Sequence, residues 1–165
     1  MPWSEIFSVE PFTWNAIGAA LFCSTIIGLE RQLRGKPVGI RTSALITLGT
    51  YLFLATTFQM EGTIVDPSRV VGQVITGIGF LGAGVMLAKD GAVVGVTSAA
   101  TIWVLAALGV IISSGYLLVS IKLSILVVVI LYGVDLLEEN TRVMSRGVHA
   151  HVKRFTDRRK NTPSE

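Results

Sequence analysis

The sequence predicts an all-α integral membrane protein, a bundle of about five transmembrane helices with its N-terminus outside and its C-terminus in the cytoplasm. Three observations carry this. The 165 residues are 51% hydrophobic and 15% charged, with mean hydropathy +0.64, too apolar for a soluble domain of this size. No residue from Val70 to Ala88 is charged, close to the length that crosses a ~30 Å hydrocarbon core at ~1.5 Å per residue. The basic residues are also segregated. Four lie between Arg31 and Arg41, Lys89 stands alone, seven lie from Arg142 to Lys160, and only Arg69 and Lys122 fall elsewhere. By the positive-inside rule the basic connections and the tail face the cytoplasm. The expected division is a transmembrane domain over residues 1–139 and a basic cytoplasmic tail over 140–165.

Residues 1–11 carry Glu5 and Glu10 and no Lys or Arg. A secretory signal opens with a basic region, so the first apolar segment reads as a retained span from about Thr13 to Leu29. Trp3, Phe7, Phe12 and Trp14 suit an aromatic belt at the outer interface. Cys23, the sole cysteine, reads as packing. The second span, about Ser43 to Phe58, is short and rich in threonine. Lys89-Asp90-Gly91 is a turn signal, and Ala92 to Val96 reads as an apolar linker too short to span. Span four runs from about Thr97 to Ser113 and span five from about Leu117 to Leu137. Lys122, one turn inside span five, is expected to snorkel to the headgroups.

The third span is the most informative. Asp66 suits an N-cap and Pro67 the first helical turn. Arg69, Gln73 and Thr76 recur at i, i+4 and i+7 and share one face. Gly77-Ile78-Gly79-Phe80-Leu81-Gly82 matches GxGxxG, but a dinucleotide fingerprint needs a preceding strand, a following helix and a later acid. Here it lies inside an apolar run. Gly77, Gly79, Gly82, Ala83 and Gly84 are instead expected to pack closely against another helix, the alternative being a break in the helix near the membrane midplane, as in transporters. Thr97, Ala99, Ala100 and Trp103 of span four are the expected partner face.

Glu30, Arg31, Arg41 and Thr42 flank the first basic connection, and Glu30 reads either as a surface carboxylate paired with Arg31 or Arg34 or as an acid at the mouth of a polar cavity. The lone cysteine excludes an intramolecular disulfide and a cysteine-based metal site. His149 and His151 at i, i+2 point apart on a helix. The sequence presents no nucleophile–base pair, so an enzyme is not expected, and neither a cofactor nor a nucleic-acid partner is indicated.

Gly28-Leu29-Glu30-Arg31-Gln32 with Gly39-Ile40-Arg41-Thr42, then Asp66-Pro67-Ser68-Arg69-Val70 with Gln73-Val74-Ile75-Thr76-Gly77-Ile78-Gly79-Phe80-Leu81-Gly82-Ala83-Gly84, then Gly95-Val96-Thr97-Ser98-Ala99-Ala100-Thr101-Ile102-Trp103-Val104 with Ala106-Ala107-Leu108-Gly109, form three ordered motifs. Together they resemble the signatures of the MgtC/SapB (YhiD) family of membrane proteins. Ser43 stands where that pattern often has His, and the chain reads as a short form without the ACT-like C-terminal domain of longer members. The resemblance implies a multi-pass protein of the bacterial inner membrane, linked to magnesium homeostasis and growth at low magnesium, and to virulence in pathogens. It also implies modulation of the F-type ATP synthase.

Two functional readings stand at this point. In the first, the protein regulates another membrane complex, and Glu30, Arg41, Asp66, Arg69 and Gln73 hold the bundle together, with Asp66 and Arg69 paired locally. In the second, it carries Mg²⁺ or another cation, with Asp66 at the outer mouth, Gln73 and Thr76 along a path, and Glu30 inside. Mg²⁺ keeps several waters, so few carboxylates suffice. The expected partners are the lipid bilayer, a membrane complex, and a second copy in a parallel homodimer.

Overall fold

The computed structural model describes residues 7–58, 66–89 and 92–140, with side chains described as far as Leu137. Five helices and one short hairpin follow in order: α1 Trp14–Leu33, α2 Ile40–Phe58, α3 Pro67–Val85, β1 Leu87–Lys89, β2 Ala92–Val94, α4 Val96–Ser113 and α5 Leu117–Asn140. Among the described residues, α1, α3, α4 and α5 are long and apolar enough to cross a membrane. α2 is of similar length, but Arg41 and five threonines dilute it. The tail expected over 140–165, with His149 and His151, lies outside the described residues apart from the end of α5.

α1 and α4 form the centre. Thr13 caps α1 by accepting from Ala16 N at 3.3 Å. Its buried face, Ala16, Ala20, Cys23, Ile27 and Arg31, follows the helical period. α4 buries residues on most sides, from Ser98 and Ile102 to Leu105, Leu108 and Ile112. α2 packs against both, α5 lies mainly on α1, and α3 lies mainly on α4. Consequently α3 buries only Ile78 and Gly82, and much of α5 faces outward, as the exposed Ile125, Leu126, Val129 and Ile130 show. Lys122 is likewise exposed, and Cys23 is fully buried, its Sγ 3.8 Å from Ser120 Oγ.

Two glycines set the close approaches. A Cβ on Gly28 would lie 2.6 Å from Ile40 Cα and 2.8 Å from Ile40 N. One on Gly109 would lie 2.7 Å from both Thr47 O and Thr50 Cβ. Backbones meet there because no side chain intervenes, and Thr47 Oγ1 donates across the gap to Leu105 O at 3.2 Å. Other buried hydroxyls bond within their own helices, as Ser24 does to Ala20 O at 2.7 Å and Thr101 to Thr97 O at 2.8 Å, so burial leaves these satisfied.

The reading of a third span from Asp66 to Leu87, with Ala92 to Val96 as a linker, is corrected here. α3 stops at Val85, and Leu87–Lys89 pairs antiparallel with Ala92–Val94, Leu87 opposite Val94 and Lys89 opposite Ala92. Gly84 lowers helix propensity at this end and Met86 turns to an extended conformation, while Lys89 marks the start of the expected turn. Asp90 and Gly91 lie outside the described residues. The hairpin sets α4 beside α3, and Gly95 makes that possible. Its φ is +93°, and a Cβ there would strike the Val85 carbonyl.

Gly28→Ala and Gly109→Ala are expected to destabilise the bundle by about 1–3 kcal/mol each through overpacking. Gly72→Ala, with open space at its Cβ position, is expected to be neutral or stabilising by up to ~1 kcal/mol. Unfolding of the three variants in mixed micelles checks the contrast.

Candidate functional site

The helical period brings three charged residues at the foot of α1 toward its neighbours. Glu30 and Arg34 are four apart and meet along the helix, while Arg31 continues the buried face of Ile27. Arg31 is 3% exposed. Its Nη2 donates to Ser98 Oγ of α4 at 2.6 Å, and its Nε donates to Pro37 O at 3.3 Å. Arg34 Nε lies 2.9 Å from Glu30 Oε1, and Arg34 Nη1 donates to Asp135 Oδ2 of α5 at 2.6 Å. The Arg34 guanidinium also sits 4.8 Å above the Tyr132 ring, a cation–π contact. One arginine therefore serves two carboxylates from two helices. Glu30 is 8% exposed, and neither of its oxygens receives a well-aligned hydrogen bond among the described residues. Its tie to Arg34 is a close charge contact and little else.

The connection from α1 to α2 is held in an unusual shape. Gly35 ends α1 with φ +62° and donates to Gln32 O. Val38 also has a positive φ, +69°, which costs a β-branched residue of order 1–3 kcal/mol. Burial of its side chain in the cluster with Cys23 and Ile27 holds it there, and Ser43 Oγ donates to Val38 O at 3.2 Å.

Beside this connection lies a cavity of about 670 Å³. Arg31, Lys36 and Pro37 form one wall, the hairpin and the first turn of α4 a second, and Ile130, Leu131, Val134 and Asp135 of α5 a third. The basic α1–α2 connection, the hairpin with Lys89 and the end of α5 thus gather at one end of the bundle.

The other expected site residues lie apart from this cluster. Arg41 and Thr42 are exposed in the first turn of α2. Asp66 caps α3 at its opposite end, its Oδ1 accepting from Ser68 N at 2.9 Å. It forms no ion pair with Arg69 among the described residues. Ser68 holds the Asp66 carboxyl below its ordinary range through side-chain and backbone hydrogen bonds, and the positive charge of Arg69 adds a smaller pull. Gln73 and Thr76 are exposed, and Thr76 Oγ1 bonds back to Gly72 O at 2.9 Å. Of the packing glycines expected in α3, Gly82 alone meets α4: a Cβ there would lie 3.7 Å from Ala99 Cβ and 3.9 Å from Trp103 Cδ1. Gly77, Gly79 and Gly84 have nothing within 4 Å of a Cβ position, and Ala83, Thr97 and Ala100 are exposed. The described residues contain no group of three His, Cys, Asp or Glu placed to hold a metal.

Arg34 was foreseen only as one of two partners, with Arg31, for a surface Glu30; Glu30 is instead buried, because the helical period turns it toward α5 and Arg34. Asp135, Ser98 and Tyr132 carried no signal, because their approach to α1 comes from helix packing across more than 60 residues of chain.

The apolar helices and the polar cluster at one end of them define a multi-pass α-helical membrane protein. The chain belongs to the MgtC family, whose model matches residues 17–140. It is 39% identical over 149 residues to YhiD of Escherichia coli strain K12, covering 86% of this chain and 67% of YhiD. That relative is named as a candidate magnesium transporter. A Haemophilus influenzae protein is 41% identical over 127 residues, covering 66% of this chain and 53% of its own length. MgtC of Salmonella typhimurium strain LT2 is 38% identical over 105 residues, covering 64% of this chain and 44% of MgtC. No solved structure matches the chain.

Arg34→Gln is expected to destabilise the fold by on the order of 2–3 kcal/mol, below the range for a fully buried pair because the Arg34 side chain is 23% exposed. Adding Glu30→Gln should recover much of that loss, and a double-mutant cycle measures the coupling. Asp66 has a depressed folded-state pKa, so its cap contribution is complete above the ordinary carboxylate pKa and is lost as pH falls through the depressed value. The difference in Tm between wild type and Asp66→Ala should therefore shrink toward zero across that acidic window.

Proposed function

We propose that this chain acts in magnesium homeostasis as a regulatory membrane protein, docking on another membrane complex through the outward face of α3. The observation that carries this is the composition of that face. Gln73 and Thr76 stand exposed on a helix long enough to cross a membrane, beside Gly72, Gly77 and Gly84 with open space around them. Lipid leaves an exposed amide without partners, at a cost. A neighbouring helix relieves that cost, and the glycines admit its backbone. The F-type ATP synthase is the first complex to test. The basic end of the bundle is cytoplasmic in this reading, and the membrane is the bacterial inner membrane.

Cation transport is the second reading, favoured by the name that YhiD carries. Weighing against it, Glu30 and Asp135 both lie on Arg34, and Asp66 caps its helix. Purified protein in liposomes enclosing a magnesium-sensitive dye is expected to give no Mg²⁺ influx above empty vesicles. Saturable influx that is lost in folded Asp66→Asn overturns the regulatory reading. In cells, Gly77→Leu is expected to leave the protein inserted and folded while abolishing crosslinks from a photoreactive residue at position 76 to a partner, together with growth at low magnesium. A cysteine at Ser68 should react with an impermeant maleimide in intact cells, and one at Lys36 only after lysis.

A further inference from the structure

We propose that the cavity at the basic end of the bundle binds an anionic phospholipid, independently of the docking reading for α3. The charge balance comes first. Arg31 lines the cavity, is 3% exposed, and commits only Nε and Nη2, so Nη1 bonds to none of the described residues. Lys36 lines it too, is exposed, and forms no ion pair among the described residues. The acid in the lining, Asp135, is already matched by Arg34 at 2.6 Å. Arg31, Arg34 and Lys36 thus outnumber Glu30 and Asp135 at this end, and the surplus positive charge sits on the exposed Lys36, beside the unbonded Nη1 of Arg31. The first turn of α4 adds to this, since Gly95 gives it no side-chain cap and its N-terminus opens on the same cavity.

The walls decide between a free anion and a lipid. Beyond the cations the lining is apolar, and Leu87, Val93, Ile130 and Val134 are also exposed on the outer surface. The apolar surface therefore runs from the cavity out onto the lipid-facing side of α5. A soluble phosphate has no use for such walls, whereas an acyl chain lies along them while its phosphate meets Arg31 and Lys36. The volume, about 670 Å³, suits a headgroup with the upper part of a chain. Basic pockets between membrane helices are suited to anionic headgroups for the same reason.

The test is native mass spectrometry of the full chain released from micelles containing equal phosphatidylglycerol and phosphatidylcholine. Wild type is expected to retain phosphatidylglycerol about fivefold or more over phosphatidylcholine. Lys36→Gln, at an exposed position that spares folding, should cut that preference about fivefold, the worth of one basic residue near a charged headgroup. Val134→Trp should lower phosphatidylglycerol retention by filling the apolar wall, and Lys122→Gln at the far end should change nothing. Equal retention of the two lipids, or an unchanged preference in Lys36→Gln, overturns the proposal. Thermal stabilisation by inorganic phosphate equal to that by phosphatidylglycerol identifies a free-anion site and overturns the lipid assignment.

Discussion

The foot of α1 is the constraint on which the bundle depends. Glu30 is almost wholly buried, and a buried carboxylate needs a cation beside it. Arg34 supplies that cation, reaches Asp135 of α5 with its other nitrogen, and lies over the Tyr132 ring. Arg31, one position from Glu30, reaches Ser98 of α4. One turn of helix thus ties α4 and α5 to α1, and the strained connection through Val38 brings α2 down on the same turn. Moving α4 or α5 would break a hydrogen bond to an arginine of this turn, Ser98 to Arg31 or Asp135 to Arg34.

The interior otherwise follows from small residues. Gly28 and Gly109 let α2 approach α1 and α4 at backbone distance, and the hydroxyls buried at those contacts satisfy themselves on carbonyls. In a bilayer the hydrophobic effect does not drive helices together, so close packing and satisfied polar groups must do it. α3 departs from this pattern. It touches α4 at Gly82 and leaves its other glycines, with Gln73 and Thr76, on the outside. The bundle is closed on one side and carries a polar, small-residue face on the other. This asymmetry is the physical basis for reading α3 as a docking surface.

Much of the architecture could be read from the order of residues. The apolar run from Val70 and the cap at Asp66 with Pro67 are local signals, and each corresponds to an element in place. The hairpin was missed because Leu87-Ala88 and Ala92-Val93-Val94 are short apolar runs, and periodicity alone does not separate a strand from a helix end at that length. Gly77, Gly79 and Gly84 promised packing, but whether a glycine lies inside or outside depends on which side of α3 meets α4.

A membrane bundle of the MgtC type is legible in the order of residues, because hydropathy, caps and ordered motifs are properties of neighbouring residues. That order also places Glu30 and Arg34 one helical turn apart. Helix packing alone brings Asp135, 101 residues from Arg34, to complete that pair, makes Arg31 an interior residue, and opens a cavity between the first connection, the hairpin and α5. Those are contacts between segments distant along the chain. They arise from which helix faces pack together, and backbone approach at Gly28, Gly95 and Gly109 selects those faces.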